Sequence, residues 1–468
     1  MSDAAAREGG ASQHTYPGEA GPEAAGRPAP EPALPGGPSR LEIPVLLVLL
    51  AVAVVTVAYG WFEGRQKGLF GTATPPFVFG WLPMIDVPWA VACAAVLGLG
   101  AVAAPTLVRA RLSPPVFALA VFALAAAAGL TIGAARMGTY GWWQVFDLRP
   151  QGSFEAANEY LPGLPLLEWG IPNYLDRFAE TVPSQAVNIA GHPPGPLLLM
   201  RWAGLETAER LAALCIGCAA LTAPLTYAIG RSVGVGERAA RIAGLLAIFT
   251  PVMLLDGVTS FDAVYAAMGA LAAALLLSRR PALLALGGLV FAVCTIFSWA
   301  LLGVGAAVAL TVLWRDGWRR ALLVALVSGA GFVGINAFLA VGWGYDPIGT
   351  LLATEGVYRN SLAQIRPYRF WVFGSPVAWA LMLGPIVIAA ATRAALRRSP
   401  VALGILAVIV IAAVAGFTKA ETERIWLIFV PLACVAAAPL FSTRRLPLVL
   451  GVLGAQALAL QVLVNTVW

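Results

Sequence analysis

The sequence predicts an all-α membrane protein, a polytopic bundle of about 13 transmembrane helices with its chemistry on outer-face loops. Three observations predict this class. Hydrophobic residues fill 59% of the 468 positions and charged residues only 12%, with mean hydropathy +0.81, whereas a soluble domain is roughly 25% charged. The apolar residues come in long uninterrupted stretches, near the ~20 residues a helix needs to cross the hydrocarbon core. Between them, arginines cluster in every second connection, which is a topology signal and not a nucleic-acid footprint.

Taken in order, residues 1–39 are rich in Pro, Gly, Ala and Glu and carry too little apolar surface to fold, so they read as a disordered cytoplasmic tail. Spans 43–59 and 87–108 follow within an N-terminal segment 40–113. Span 114–135 opens a core over 114–343, whose large outer loop occupies 136–206. Spans 207–230, 239–255, 261–278, 282–298, 300–314 and 321–343 complete it, with Ser298-Trp299 as a minimal turn between the fifth and sixth spans of the core. A last segment, 344–468, holds an outer loop and spans 376–392, 401–417, 425–441 and 446–466.

With the N-terminus inside, sixteen arginines lie on inner connections, from Arg40 and Arg109 through Arg241, Arg315 and Arg393 to Arg445. Sixteen of the twenty-four carboxylates fall on the outer side. The inner loops are too short for a catalytic domain, and no phosphate-binding glycine loop or dinucleotide fingerprint is present. All five cysteines sit in apolar runs, so Cys215-x-x-Cys218 reads as membrane helix and not as a redox or metal motif. No internal repeat is evident.

Polar residues gather in three outer segments. The first runs from Arg136 to Arg210 and mixes Asp147, Glu155, Glu159 and Glu168 with Trp142, Trp143, Tyr160 and Trp169. Carboxylates beside aromatic faces suit a sugar; an interfacial aromatic belt is the plainer alternative. Here His192 precedes Pro193 and Pro194, which fix the backbone and aim the imidazole. The second segment, 344–375, carries Arg359, Arg366, Tyr368 and Arg369, and guanidinium groups clamp phosphate oxygens in pairs. The third is Thr418-Lys419-Ala420-Glu421-Thr422-Glu423-Arg424, where Glu421 and Arg424 share a helix face if the next span starts there. Asp256 and Asp262 flank another outer turn and are expected to join the same cavity.

These residues together resemble the GT-C class of integral-membrane glycosyltransferases, which take sugars from polyprenyl phosphates at the outer face. Gly191-His192-Pro193-Pro194-Gly195-Pro196 is similar to the His-Pro-Pro element of the protein O-mannosyltransferase-like branch. Arg366-Pro367-Tyr368-Arg369 and Glu421-Thr422-Glu423-Arg424 resemble the arginine-bearing outer turns that hold donor phosphate in related enzymes. The loop follows the third span where the family places it after the first, which implies two added N-terminal helices.

The resemblance implies an inverting transfer of a sugar from a polyprenyl-phosphate donor to an envelope glycan, lipid or protein acceptor. Asp147 is the expected base, with Glu159 as second choice and His192 steering carboxylate or phosphate. Arg366, Arg369 and Arg424 are expected on the donor phosphate, supported by Glu421, Asp256, Asp262 and Tyr368. The scheme requires no cofactor, and a divalent metal stays open. The expected location is a bacterial plasma membrane, multi-pass, with no nucleic-acid partner. A transporter or lipid flippase is the alternative reading; a non-catalytic envelope scaffold is a third.

Overall fold

A computed structural model of the protein describes residues 40–64 and 70–466, so the expected tail 1–39 lies outside the described residues. The described residues form one compact unit. They are predominantly helical, and the helices start where the sequence supplies start signals. Proline stands in the first turn of Val87–Arg109, Pro114–Ala134, Pro281–Thr295, Pro385–Leu396 and Pro400–Ala415, where its missing N–H costs nothing. Asp86 caps the first of these, its Oδ1 accepting from the Trp89 N–H at 3.3 Å. Ala208–Val233 and Trp318–Trp343 both stop at a left-handed glycine, Gly234 and Gly344.

Seven helices among the described residues are long and apolar enough to cross a membrane, and nine if each of two bent pairs is one span. All thirteen expected spans overlap helix, but that measure does not reach thirteen. The regions 261–278, 282–298, 300–314 and 401–417 form helices of only 15 or 16 residues. At 1.5 Å per residue these reach roughly 23 Å, short of a ~30 Å core.

The two bent pairs have a common cause. Region 376–392, expected as one span, is cut between Tyr368–Leu383 and Pro385–Leu396, which meet at 111°. Gly384 sits there at φ 106°, and Pro385 can offer no N–H to continue the ladder. Region 239–255 is similarly split into Glu237–Phe249 and Pro251–Thr259, bent by 59°. Thr250, preceding Pro251, is pushed to extended backbone at φ −63°, ψ 131°.

Ala208–Val233 is the central helix, packed against Pro114–Ala134, Glu237–Phe249 and Asp262–Leu276. Glu42–Tyr59 is peripheral and rests on Tyr368–Leu383. The basic connections converge at one end of the bundle and close helix ends there. Arg241, buried, donates to the carbonyls of Ala110 and Leu112. Arg315 donates to Ser232 and Leu277, Arg238 to Phe441, and Arg393 with Arg397 holds the buried Glu42 carboxylate. The arginines read as topology signals therefore also satisfy orphan C-terminal carbonyls.

The opposite end is built from the long connections. Gly80–Trp81 pairs antiparallel with Val464–Asn465, a small strand contact that the helical reading did not foresee. Arg136 ties it down through the carbonyls of Leu82 and Val464 at 2.6 and 2.7 Å. The loop 136–206 folds into short helical turns over this end, and the Gly195 N–H donates to the Ile296 carbonyl.

Candidate active site

The site begins with a strained turn. After the helix Pro400–Ala415, Ala420 and Glu421 adopt left-handed backbone at φ 65° and 59°, which costs a non-glycine residue roughly 1–2 kcal/mol. Ala420 is held by packing, in a small apolar cluster with Phe70, Phe370 and Trp371. The turn swings Glu421 between two buried guanidinium groups. Its Oε1 accepts from Arg366 Nη2 at 2.9 Å and its Oε2 from Arg424 Nη2 at 3.1 Å. Arg366 also donates to the Lys419 carbonyl at 2.7 Å. Its Nε finds no acceptor among the described residues. Burial alone would raise the Glu421 pKa, but Arg424 and Arg366 bring it below the ordinary carboxylate value, so this carboxylate is charged.

Arg424 reaches across the bundle to Asp262, Nη1 to Oδ2 at 2.9 Å. Asp262 opens the helix Asp262–Leu276 and is oriented by the Ser260 hydroxyl at 2.7 Å. Four charged groups from three distant stretches thus form one network, Arg366–Glu421–Arg424–Asp262. Residues 422–424 are buried, and Glu423 accepts the Val78 N–H at 2.9 Å.

The loop 136–206 supplies the facing wall. Glu159 is fully buried, and among the described residues neither carboxylate oxygen completes a hydrogen bond, although the Asn188 side chain is close enough to pull its pKa down. Burial pushes its pKa up to about 7, against the pull of Arg424. The next residue, Tyr160, shares a 2.6 Å hydrogen bond with the Tyr265 hydroxyl and lies 3.1 Å from His192 Nδ1. His192 Nδ1 stands 2.6 Å from the Asn188 carbonyl, which can only accept. The neutral ring therefore carries its proton there, leaving Nε2 as the basic nitrogen. Burial lowers the His192 pKa, in keeping with a neutral ring. The His192 ring also stacks on Tyr265 at 5.0 Å.

Each of the other expected residues has a definite place. Asp147 is buried, but its oxygens are taken by Arg149 at 2.8 and 2.9 Å and by the Tyr140 hydroxyl at 2.9 Å. The Arg149 hydrogen bonds hold its pKa at about 2, against the upward push of burial. Asp256 is buried within Pro251–Thr259, with Glu423, Arg424 and Asp262 in electrostatic reach and Oδ2 without a hydrogen bond. Tyr368 is exposed and donates to the Val414 carbonyl. Arg369 is also exposed and lines a 360 Å³ cavity with Val55, Tyr59, Phe70, Phe370 and Phe373. Among the described residues Glu421 is bonded to Arg366 and Arg424 and not to Arg369.

Tyr265, Ser260 and Asn188 were absent from the sequence-derived set. Tyr265 was within reach of sequence reasoning, because it lies three residues after Asp262 on one helix face. The bond between Glu423 and Val78 spans 345 positions and had no local signal. Among the described residues, no group of three or more His, Cys, Asp or Glu side chains is arranged to hold a metal ion. No protein-family model, curated protein or solved structure matches the chain.

Proposed function

We propose that this chain is a membrane glycosyltransferase of the GT-C type, moving a sugar with inversion from a polyprenyl-phosphate donor to a hydroxyl of a cell-envelope acceptor. The reaction takes place at the bundle end remote from the basic connections, on the outer face of a bacterial plasma membrane. One observation carries the reading: a buried carboxylate, Glu159, whose oxygens complete no hydrogen bond among the described residues, lies in electrostatic reach of Arg424, which Glu421 links to the buried Arg366. Such a pair meets both needs of the chemistry, a base for the acceptor and a cationic seat for the leaving phosphate.

In this scheme Glu159 takes the proton of the acceptor hydroxyl while its oxygen bonds to the anomeric carbon. The bond from that carbon to the phosphate oxygen breaks on the opposite face, and its electron pair leaves on the polyprenyl phosphate. Arg366 and Arg424 stabilise the growing phosphate charge, preorganised in a buried site where such stabilisation is strongest. Glu159 displaces Asp147 as the preferred base because a base needs a free lone pair, and the Asp147 oxygens are committed to Arg149 and Tyr140. His192 and Tyr265 shape the wall beside it. Arg369, which lines the apolar cavity, suits the phosphate-proximal part of the lipid chain. These steps require no metal, and a divalent ion stays open.

The test is turnover by the full-length protein in nanodiscs, with radiolabelled polyprenyl-phosphate sugars and crude envelope acceptors. Wild type should release polyprenyl phosphate, and Glu159→Gln should lose at least 100-fold in rate while still binding donor. Release undiminished in Glu159→Gln would remove it from the base role, and no release from any donor would overturn the transferase reading.

One observation favours the alternative, a transporter or flippase. Asp256 and Glu423 are buried carboxylates with unbonded oxygens, and Asp256 lies in a helix pair bent by 59°. Broken helices with buried ionisable groups are the usual seat of coupled transport. Proton-coupled uptake of a lipid-linked sugar into proteoliposomes, lost in Asp256→Asn, would establish it.

A further inference from the structure

The Arg366–Glu421–Arg424 bridge has the form of an occupied anion site. One carboxylate spans two guanidinium groups, an oxygen to each, at 2.9 and 3.1 Å. Both arginines are buried, so their charges need a counter-ion at all times. Arg424 keeps Asp262 as a second partner, whereas among the described residues the only carboxylate bonded to Arg366 is Glu421. Two features mark Glu421 as the replaceable member. It is the least enclosed of the four groups, with 19% of its side chain exposed against 6–7% for the others. It is also delivered by two successive left-handed non-glycine residues, so the bridged state carries backbone strain that departure would relieve. A further donor, Arg366 Nε, is buried without an acceptor. The donor's phosphodiester, like a carboxylate, has two non-bridging oxygens and one charge, whereas the monoester released by transfer has three and more charge, so the product engages this donor set more fully and its release calls for a competitor.

We propose that Glu421 is a built-in competitor for phosphate: it occupies the arginine pair in the empty enzyme, yields to the lipid phosphate, and returns to expel it after transfer. This rests on the phosphate-donor reading and adds to it a residue that sets affinity and product release. The exchange swaps one set of charge-assisted hydrogen bonds for another and involves no covalent change. While displaced, Glu421 keeps access to solvent from its partly exposed position, so its charge is not stranded.

The two parts of the claim predict opposite shifts from neighbouring substitutions. Glu421→Gln removes the competing charge and should tighten binding of farnesyl phosphate, a soluble phosphate-monoester probe, by about tenfold or more. Ala420→Gly keeps the carboxylate but eases the left-handed turn, which favours the bridged state and should weaken the same binding several-fold. In turnover, Glu421→Gln should be more strongly inhibited by polyprenyl phosphate. Binding is measured by competition on the full-length protein in nanodiscs, with farnesol as the uncharged control and thermal melts to verify folding.

Unchanged or weaker affinity in Glu421→Gln, with wild-type binding still dependent on Arg366, would overturn the competitor and leave the donor reading intact. If Glu421→Gln does not fold, unchanged or tighter binding in Ala420→Gly overturns the proposal. If neither wild type nor Glu421→Gln prefers farnesyl phosphate to farnesol, the phosphate seat itself falls and the competitor with it.

Discussion

At the scale of single residues, two carboxylates of the same loop are driven in opposite directions by their surroundings. Asp147 is fastened to Arg149 and held at a pKa of about 2, whereas buried Glu159 is raised to about 7. If Glu159 is the base, its ionised form is the active one, so the rate should rise with pH, with a midpoint near 7, and level off above. A profile flat from pH 5 to 9 would exclude it. The stability effects have opposite signs as well. Glu159 holds its proton more tightly folded than unfolded, so its contribution falls as pH rises from about 4.3 through 7. Asp147 contributes fully above its unfolded value of about 3.9, and that contribution disappears as pH falls through 2. Asp147→Asn should therefore lower the melting temperature at neutral pH more than it lowers turnover; a rate loss above 100-fold with an unchanged melt would restore it as the base. Sequence position alone favoured Asp147, since spacing from the preceding span says nothing about which arginine folds onto which acid.

At the scale of elements, the departures from straight spans follow from individual prolines and glycines. Pro251 and Pro385 are visible in the sequence, and each ends a helix for the same steric reason. The size of the bends was not visible, because packing sets the angle once the hydrogen-bond ladder is broken. Gly384 at φ 106° makes the 111° corner, and a methyl group added there would meet the Leu453 side chain. Gly384→Ala should cost at least ~1–2 kcal/mol from the backbone alone, read as a lower midpoint in detergent unfolding; an unchanged midpoint would mean that the corner relaxes freely. The short helices near 270, 290, 310 and 405 were likewise legible as apolar and helical. Their ends were not, since a turn buried by neighbouring loops needs no charged marker.

At the scale of the whole molecule, the alternation of basic and acidic connections corresponds to a physical division of the bundle. Arg241, Arg315, Arg238 and the Glu42 clamp meet at one end, while Arg424, Asp262, Glu159 and His192 meet at the other. Cysteines introduced at the exposed positions Arg279 and Glu168 should react with an impermeant maleimide from opposite sides of a sealed vesicle. The five native cysteines are buried or half-buried and give little background. Labelling of both from one side would refute the arrangement.

Composition, the length of the apolar runs and the placement of arginines determined by themselves that this is a predominantly helical, multi-pass membrane protein, because transfer of apolar surface and the cost of burying charge are properties of local sequence. They also determined where polar chemistry gathers, since charge that survives beside an apolar span needs a reason to be there. Only the tertiary structure decided which of those residues act together. Arg424 and Asp262 are 162 positions apart, Tyr160 and Tyr265 are 105 apart, and Arg366 and Glu421 are 55 apart. Hydrogen bonds and ion pairs act over about 3 Å, and no local pattern encodes which distant segments the packed helices bring to that distance.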